Sequence, residues 1–273
     1  ANVSLSLPSL RIDNFAFEVL NTIQEYKKSG LTYAPEAGTQ RLRNVINKGV
    51  TEDDIFTSVE QAIVLGWRRI KLYFMIGLPT ETLDDVRGIA DLGQQVVDAY
   101  YACQDKPRGK GLKVTVSASA FIPKPFTPFQ WEPQDTMEQM REKQKALSHA
   151  VHSRKITAHW HDASTSFIEA VFARGDRRLG PVLLEAHRLG CKMDGWEDGF
   201  SLEKWLTAFQ NCGVDPAFYA NRRRSFEEVL PWDHMDYGVR KEFLIAECKR
   251  AYAAQTTPNC REACSACGAA QYG

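Results

Sequence analysis

Apolar and polar positions follow two periods along this chain, and the way the periods take turns predicts its architecture. Val3-Ser4-Leu5-Ser6-Leu7 has the two-residue period of a strand, and Asp13 is placed to cap a helix that runs to Ser29 and stops at Gly30. Leu31-Thr32-Tyr33-Ala34 reads as a short strand, and residues 40–46 as a helix closed by Lys48-Gly49. Thr51 with Asp54 three residues on has the pattern of a capping box. The helix it opens carries Ile55, Val59, Ala62, Ile63 and Leu65 on one face and ends at Gly66. Residues 70–76 form a nearly continuous apolar run, the pattern of a strand buried on both faces. A helix over 83–101 follows, then a strand over 113–121, a proline-rich loop over 122–133, a charged helix over 134–153 and a last strand over 155–160. Beyond residue 162 only the helical period persists, over 164–174, 177–189, 202–211 and 237–253.

Strands that alternate with helices, through connections too long for hairpins, imply parallel pairing and right-handed crossovers. About five strands precede residue 161, too few to close an eight-stranded barrel. The expected fold class is therefore α/β: a partial (β/α) barrel of parallel strands, with front strands missing, followed by a helical C-terminal region. The expected division is 1–162 for the barrel part, 163–255 for the helical extension and 256–273 for a small, polar, cysteine-containing tail. Because the chain opens at Ala1 directly in a strand pattern, it reads as a fragment.

Composition narrows the function classes. The 273 residues are 44% hydrophobic and carry 34 basic and 34 acidic side chains, a balance that argues against a surface attracting nucleic acid everywhere. The runs Arg222-Arg223-Arg224 and Arg174, Arg177, Arg178 are read as solvated faces rather than basic patches. No apolar stretch reaches the roughly 18 residues of a membrane span, and no signal peptide opens the chain, so a cytoplasmic protein with no membrane partner is expected. Of seven cysteines, Cys103, Cys191, Cys212 and Cys248 are scattered, whereas Cys260, Cys264 and Cys267 are crowded together, which points to metal or redox chemistry.

Ligands of parallel α/β folds sit at the carboxyl ends of the strands. The residues just past each strand are Ser9 and Arg11, then Glu36 to Thr39, then Gly77 to Glu81, then Ser117 and Ser119, then His159 and His161. Glu36 can accept hydrogen bonds from hydroxyls or an ammonium group, Gly38 lets backbone approach a ligand, and the helix beyond offers its amino end; equally, Glu36 can be a helix cap. The Gly77-Leu78-Pro79-Thr80-Glu81-Thr82 turn brings backbone over the sheet, or is a plain turn in which Glu81 accepts from loop amides. His159 and His161 are a conceivable metal pair, with hydrogen-bonded histidines as the more common case.

Taken together these motifs resemble the radical S-adenosylmethionine (SAM) family, whose core is a TIM-barrel-like (β/α) sheet. Glu36-Ala37-Gly38-Thr39 with Arg41-Leu42, then Ile46-Asn47-Lys48-Gly49, is similar to the middle of that core, and Gly77 to Thr82 to its Gly-Leu-Pro-Gly-Glu-Thr turn, with Thr80 in place of the usual glycine. An uncharacterised subfamily, often with a cobalamin-binding-like region upstream, resembles the chain more fully. It shares Ser119 to Trp131, Ala173 to Gly180, Asp194-Gly195-Trp196, Pro231-Trp232-Asp233 and a terminal cysteine cluster. The resemblance implies reductive cleavage of SAM to a 5′-deoxyadenosyl radical acting on an unknown substrate, with RNA or protein modification suggested by methylthiotransferase relatives. It implies that Glu36 contacts the ribose or amino-acid part of SAM and that Lys48 pairs with its carboxylate. Gly38 and Thr39 would belong to the same cofactor turn, the backbone of Ile76, Gly77 and Leu78 would flank the adenine, and Ser117 and Ser119 would line the site. The cysteine triad of the catalytic 4Fe–4S cluster is absent after the first strand, so its ligands are expected upstream. Cys260, Cys264 and Cys267 repeat the triad spacing at the other end, where an auxiliary 4Fe–4S cluster or zinc is implied. Two rivals remain: a non-catalytic metal-binding or RNA-interaction module, and a hydrolase using Glu36 and Glu81 as an acid–base pair.

Overall fold

The structure is a computed structural model that describes residues 30–106, 109, 111–196 and 198–269. The strand and helix expected before Gly30, with Ser9 and Arg11, lie outside the described residues. The described chain forms two compact units. The first holds the described residues up to Ser119, with Glu142–Trp160 and Ala253–Thr256. The second holds Ala120–Arg141, His161–Tyr252 and the described residues from Thr257 onward.

The first unit is built on a parallel sheet of β1 (Leu31–Glu36), β2 (Arg69–Ile76), β3 (Lys113–Ala120) and β4 (Ile156–Trp160) in the order β1-β2-β3-β4. Each strand lies beside its neighbour in sequence, which is how an arc of a (β/α) barrel is laid down, whereas a doubly wound sheet reverses its order. Leu31 is opposite Ile70 and Tyr33 opposite Leu72; on the other pair Val114 is opposite Ile156 and Ser117 opposite His159. Helices α1 (Gln40–Val45) and α2 (Glu52–Val64) connect β1 to β2, and α3 (Leu83–Ala102) connects β2 to β3. The sequence places their starts well. Thr39 caps α1, and Thr51 with Asp54 and Thr82 with Asp85 form reciprocal capping boxes on α2 and α3.

One expectation about this sheet needs correction. Residues 70–76 are not buried on both faces. Ile70, Leu72, Phe74 and Ile76 are buried, while Lys71, Tyr73 and Met75 on the opposite face are half-buried. The same alternation runs through β1 and β3, so one face packs on helices and the other stays open. The buried face meets Ile55, Val59, Ala62 and Ile63 of α2 and Val86, Ile89, Leu92 and Val96 of α3 as core, and the Tyr33 phenol donates to Ser58 O on α2 at 3.2 Å.

The charged helix α4 (Met137–Ala150) begins three residues later than its periodicity suggests. Gln134 is withdrawn from it: its amide donates to Ser166 O at 3.0 Å and its backbone N–H to Ala220 O at 2.9 Å. Thr136 and Gln139 then bond reciprocally as the cap. In the second unit lie α5 (Ala163–Ala173), α6 (Leu179–Arg188), α7 (Leu202–Asn211), the short α8 (Pro216–Ala220) and α9 (Lys241–Tyr252). Phe167, Val171, Val182, Trp205, Phe209 and Tyr219 make its main core, and Trp131, Leu230, Trp232 and Leu244 a second one.

The arginine runs need correction in part: Arg177, Arg178 and Arg223 are exposed, as a solvated face requires, but Arg174 and Arg224 are not. Arg174 is fully buried and its guanidinium donates to three carbonyls, Tyr219 O at 2.6 Å, Ala220 O at 2.8 Å and Arg222 O at 2.8 Å. Arg224 is buried too and donates to Arg174 O at 2.5 Å. Arg222 makes a bidentate pair with Glu228, Arg223 pairs with buried Glu132, and Arg178 grips Asp176. Burial, then the charges of Arg224 and Arg222, pull the Arg174 pKa down. Among the described residues no helix is long and apolar enough to cross a membrane.

Candidate functional site

The carboxyl ends of β1 and β2 are adjacent, and both bend sharply. Glu36 closes β1 with φ 69°, in the left-handed region that a bulky residue enters only at a cost. Its side chain does not cap α1, a role taken by Thr39. Instead the Glu36 carboxylate accepts from Lys48 Nζ at 3.1 Å, and both partners stay about 30% exposed (28% and 30%). Behind them the fully buried Arg43 donates to Ala37 O at 3.0 Å and to Glu52 at 2.9 Å, which fixes the backbone just past Glu36. Lys48 is presented by the end of α1, where Asn47 (φ 51°) turns the chain out of the helix.

On β2, Gly77 adopts φ 90°, and its N–H donates to Glu81 Oε2 at 2.6 Å. Glu81 also receives Lys143 at 2.9 Å, with its side chain fully buried. A carboxylate turned into its own loop and neutralised there cannot share a cleft with Glu36, so the acid–base hydrolase pairing is excluded. Thr80, where the resembled family has glycine, stands at φ 66°, and Arg41 holds it through bonds to Thr80 Oγ1 (3.0 Å) and Thr80 O (2.9 Å).

Asp85 fastens the two bends to each other. Only 4% exposed, it accepts from the Thr39 hydroxyl at 2.5 Å, from Thr82 N at 2.9 Å and Thr82 Oγ1 at 2.8 Å, and from Arg41. Burial raises its pKa, but the bonds from Thr39, Thr82 and Arg41 outweigh that and hold the carboxyl below its usual range. The freedom of Gly38 serves this junction rather than a ligand. A methyl group there would lie 2.3 Å from Asp85 O and 2.5 Å from Ile89 N, so the close approach Gly38 permits is to α3. Gly38 and Thr39 are thus structural supports of the rim, and Glu36, Lys48 and Arg41 are accessible charged groups on it, Arg41 being already bound to Thr80 and Asp85.

The open face of the sheet below the rim is polar. Ser117 and Ser119 lie on it as expected, and the Ser119 hydroxyl donates to Phe74 O at 3.3 Å. Thr115, Thr157 and exposed His159 share it, with Ser117 and His159 directly opposite each other. Lys71 and Tyr73 also lie there, bonded at 2.7 Å. The sequence reading missed Lys71 and Tyr73, whose signal was their alternation with Ile70, Leu72 and Phe74. It also missed the tertiary role of Asp85, although the capping-box spacing from Thr82 marked the residue. Ile76 and Leu78 are buried, so they offer backbone rather than side chain to the rim.

His161 lies past the end of β4, beside Asp162, which caps α5. Cys260, Cys264 and Cys267 are free thiols, exposed or half-exposed, in a loop held by the Arg240 N–H bond to Cys267 O at 2.9 Å. Among the described residues no three His, Cys, Asp or Glu side chains are gathered to hold a metal ion.

No family model matches the chain. It is 30% identical over 212 residues to an uncharacterized protein of Methanocaldococcus jannaschii, an alignment covering 78% of this chain. The aligned residues make up 44% of that protein, so the chain spans less than half the length of the curated relative it matches.

Proposed function

We propose that this chain supplies the cofactor-contacting rim of a radical SAM enzyme. The observation that supports it most is the half-exposed Glu36–Lys48 pair at the carboxyl end of β1, next to the rigid Gly77 bend of β2. A carboxylate and an ammonium side by side are complementary to a ligand that carries hydroxyls, an amino group and a carboxylate on one scaffold. The donor set therefore fits SAM. Glu36 would accept from the ribose hydroxyls or the amino group, and Lys48 would turn from Glu36 to the ligand carboxylate. The Gly77 bend, locked by Glu81 and Lys143, gives the adenine a wall that does not adjust, and Ser117 and Ser119 offer hydroxyls on the open face. When bound, the cofactor supplies the chemistry, since one-electron cleavage of its sulfonium yields a carbon radical that removes hydrogen from a substrate. In this reading the catalytic 4Fe–4S cluster is ligated outside this chain, beside an upstream cobalamin-binding-like region, and RNA or protein is the substrate. A reducing, cytoplasmic setting suits the seven free thiols.

Calorimetric titration of SAM into the full chain tests the rim directly. Binding is expected, weakened roughly tenfold by Glu36→Gln and by Lys48→Met, each of which removes one charge-assisted contact. Affinity unchanged in both variants would overturn the assignment of the rim. Anaerobic reconstitution of the full-length protein with iron and sulfide, followed by measurement of 5′-deoxyadenosine, tests the reaction itself.

A further inference from the structure

Two cavities in the second unit share a wall. One, of about 450 Å³, is bordered by Phe126, Trp232, Tyr237 and His234. The other, of about 460 Å³, is bordered by Phe126, Trp232, Met235 and Arg177. Phe126, Trp232 and Met235 line both, so the cavities are two compartments of one groove separated by an aromatic partition. Each compartment has the size of a small-molecule site, about 300–1,000 Å³.

The partition is built with care for position. A single oxygen, Gln130 Oε1, accepts from the Phe126 N–H at 3.0 Å and from Trp232 Nε1 at 2.6 Å, and Gln130 itself is buried. Phe126 stands at φ 62°, a left-handed backbone that a bulky residue adopts only under strain. Strain of that kind persists where the surroundings over-determine it and gathers at ligand sites. Against Phe126 rests the ring of Tyr237, with centroids 4.1 Å apart, and Tyr237 is 40% exposed.

Charge decides what the rings receive. The acids around the groove are already committed: Asp176 to Arg178 and the Tyr219 hydroxyl, Asp233 to Leu230 N and Lys241, and Asp236 to Gly238 N. In the compartment that holds Arg177 the carboxylate, Asp176, is already paired with Arg178, so a cationic guest would find aromatic faces there but no uncompensated acid. Arg177 and His234 are exposed, and their side chains bond to nothing among the described residues. The groove thus offers flat π surfaces and an uncommitted guanidinium, the pair of features that holds bases by stacking and phosphates by charge.

We propose that this groove binds a nucleotide, with its base on the Phe126–Trp232–Tyr237 wall and its phosphate on Arg177. Two compartments on either side of one partition suit consecutive bases of a single strand. The proposal is independent of the SAM reading, because the groove is formed within the second unit alone and its test contains no SAM.

The test uses the full chain and two probes, a fluorescein-labelled single-stranded hexaribonucleotide followed by anisotropy and 5′-AMP followed by tryptophan fluorescence and competition. The expected result is binding that weakens as salt rises. Arg177→Ala is expected to lower affinity roughly tenfold, and Tyr237→Ala at least about fivefold. Arg188→Ala, which removes an exposed arginine paired with Glu185 on α6, is expected to change nothing. A hexamer bound far more tightly than 5′-AMP identifies the occupant as a strand; equal affinities identify a free nucleotide. Either keeps the groove. Absence of binding by both probes at millimolar concentration and low salt, or Arg177→Ala and Tyr237→Ala behaving like Arg188→Ala, overturns it. Arg177 is exposed and Tyr237 partly so, and circular dichroism of each variant verifies that the fold is retained.

Discussion

Thr80 shows how much a single residue records. The turn after β2 demands a left-handed residue at this point (φ 66°), and threonine, branched at Cβ, is poorly suited to it. Arg41 offsets part of the misfit by holding both the hydroxyl and the carbonyl of Thr80. Comparing Thr80→Gly with Thr80→Ala isolates the strain, because both remove the hydroxyl. Alanine ordinarily gains about 0.4–1 kcal/mol over glycine by restricting the unfolded chain. Here the order inverts, because a side chain in this conformation costs roughly 1–2 kcal/mol. Urea denaturation should find Thr80→Gly more stable than Thr80→Ala by up to about 1 kcal/mol; an alanine variant equal or superior would show that the bend is not left-handed.

At the scale of elements, the junction of α1 with α3 is held by one carboxylate. Asp85 joins the cap of its own helix to Thr39 and Arg41 across more than forty residues of sequence. Asparagine keeps the shape and loses the charge, so Arg41 and the caps forfeit their charge-assisted partner, at about 2–3 kcal/mol near pH 7. The pH dependence follows from the lowered pKa. The unfolded chain, with its aspartate near 3.9, binds a proton that the folded chain refuses, so the contribution is present above about pH 4 and fades as pH falls through the lower folded value. The stability gap between wild type and Asp85→Asn should therefore shrink between pH 7 and pH 3; a gap constant with pH would refute the charged role. This junction also marks the limit of what the sequence discloses. The capping box at Thr51, the alternation of strands with helices and the position of Glu36 past a strand end are legible because each depends on neighbours a few residues away. The bonds from Asp85 to Thr39 and from Lys143 to Glu81 join residues far apart in sequence and leave no local signature. Residues 70–76 misled for a different reason. Tyr73 and Met75 count as apolar by type, which masked the strict alternation that leaves one face of β2 open.

At the scale of the whole molecule, charge that looks like surface is used inside. Arg174 and Arg224, read from the sequence as part of solvated runs, are buried, because their acceptors are backbone carbonyls 45 to 50 residues away. The guanidinium of Arg174 completes the carboxyl end of α8, where Tyr219 O and Ala220 O have no helical partner, and reaches on to Arg222 O. Its planar fork is what lets one side chain satisfy three carbonyls; a lysine ammonium has the charge but not the span. Arg174→Met fills the volume with an apolar chain but leaves Tyr219 O and Arg222 O without the guanidinium, while Ala220 O keeps the Gln134 N–H, and breaking a buried charged network in this way costs about 3–5 kcal/mol. Arg174→Lys should fall between the wild type and the methionine variant. The effect should be read by denaturant unfolding followed through tryptophan fluorescence, since Trp205 packs in the core that contains Tyr219. A methionine variant within about 1 kcal/mol of wild type would show that water replaces the guanidinium at these carbonyls, and that α8 is not held by Arg174.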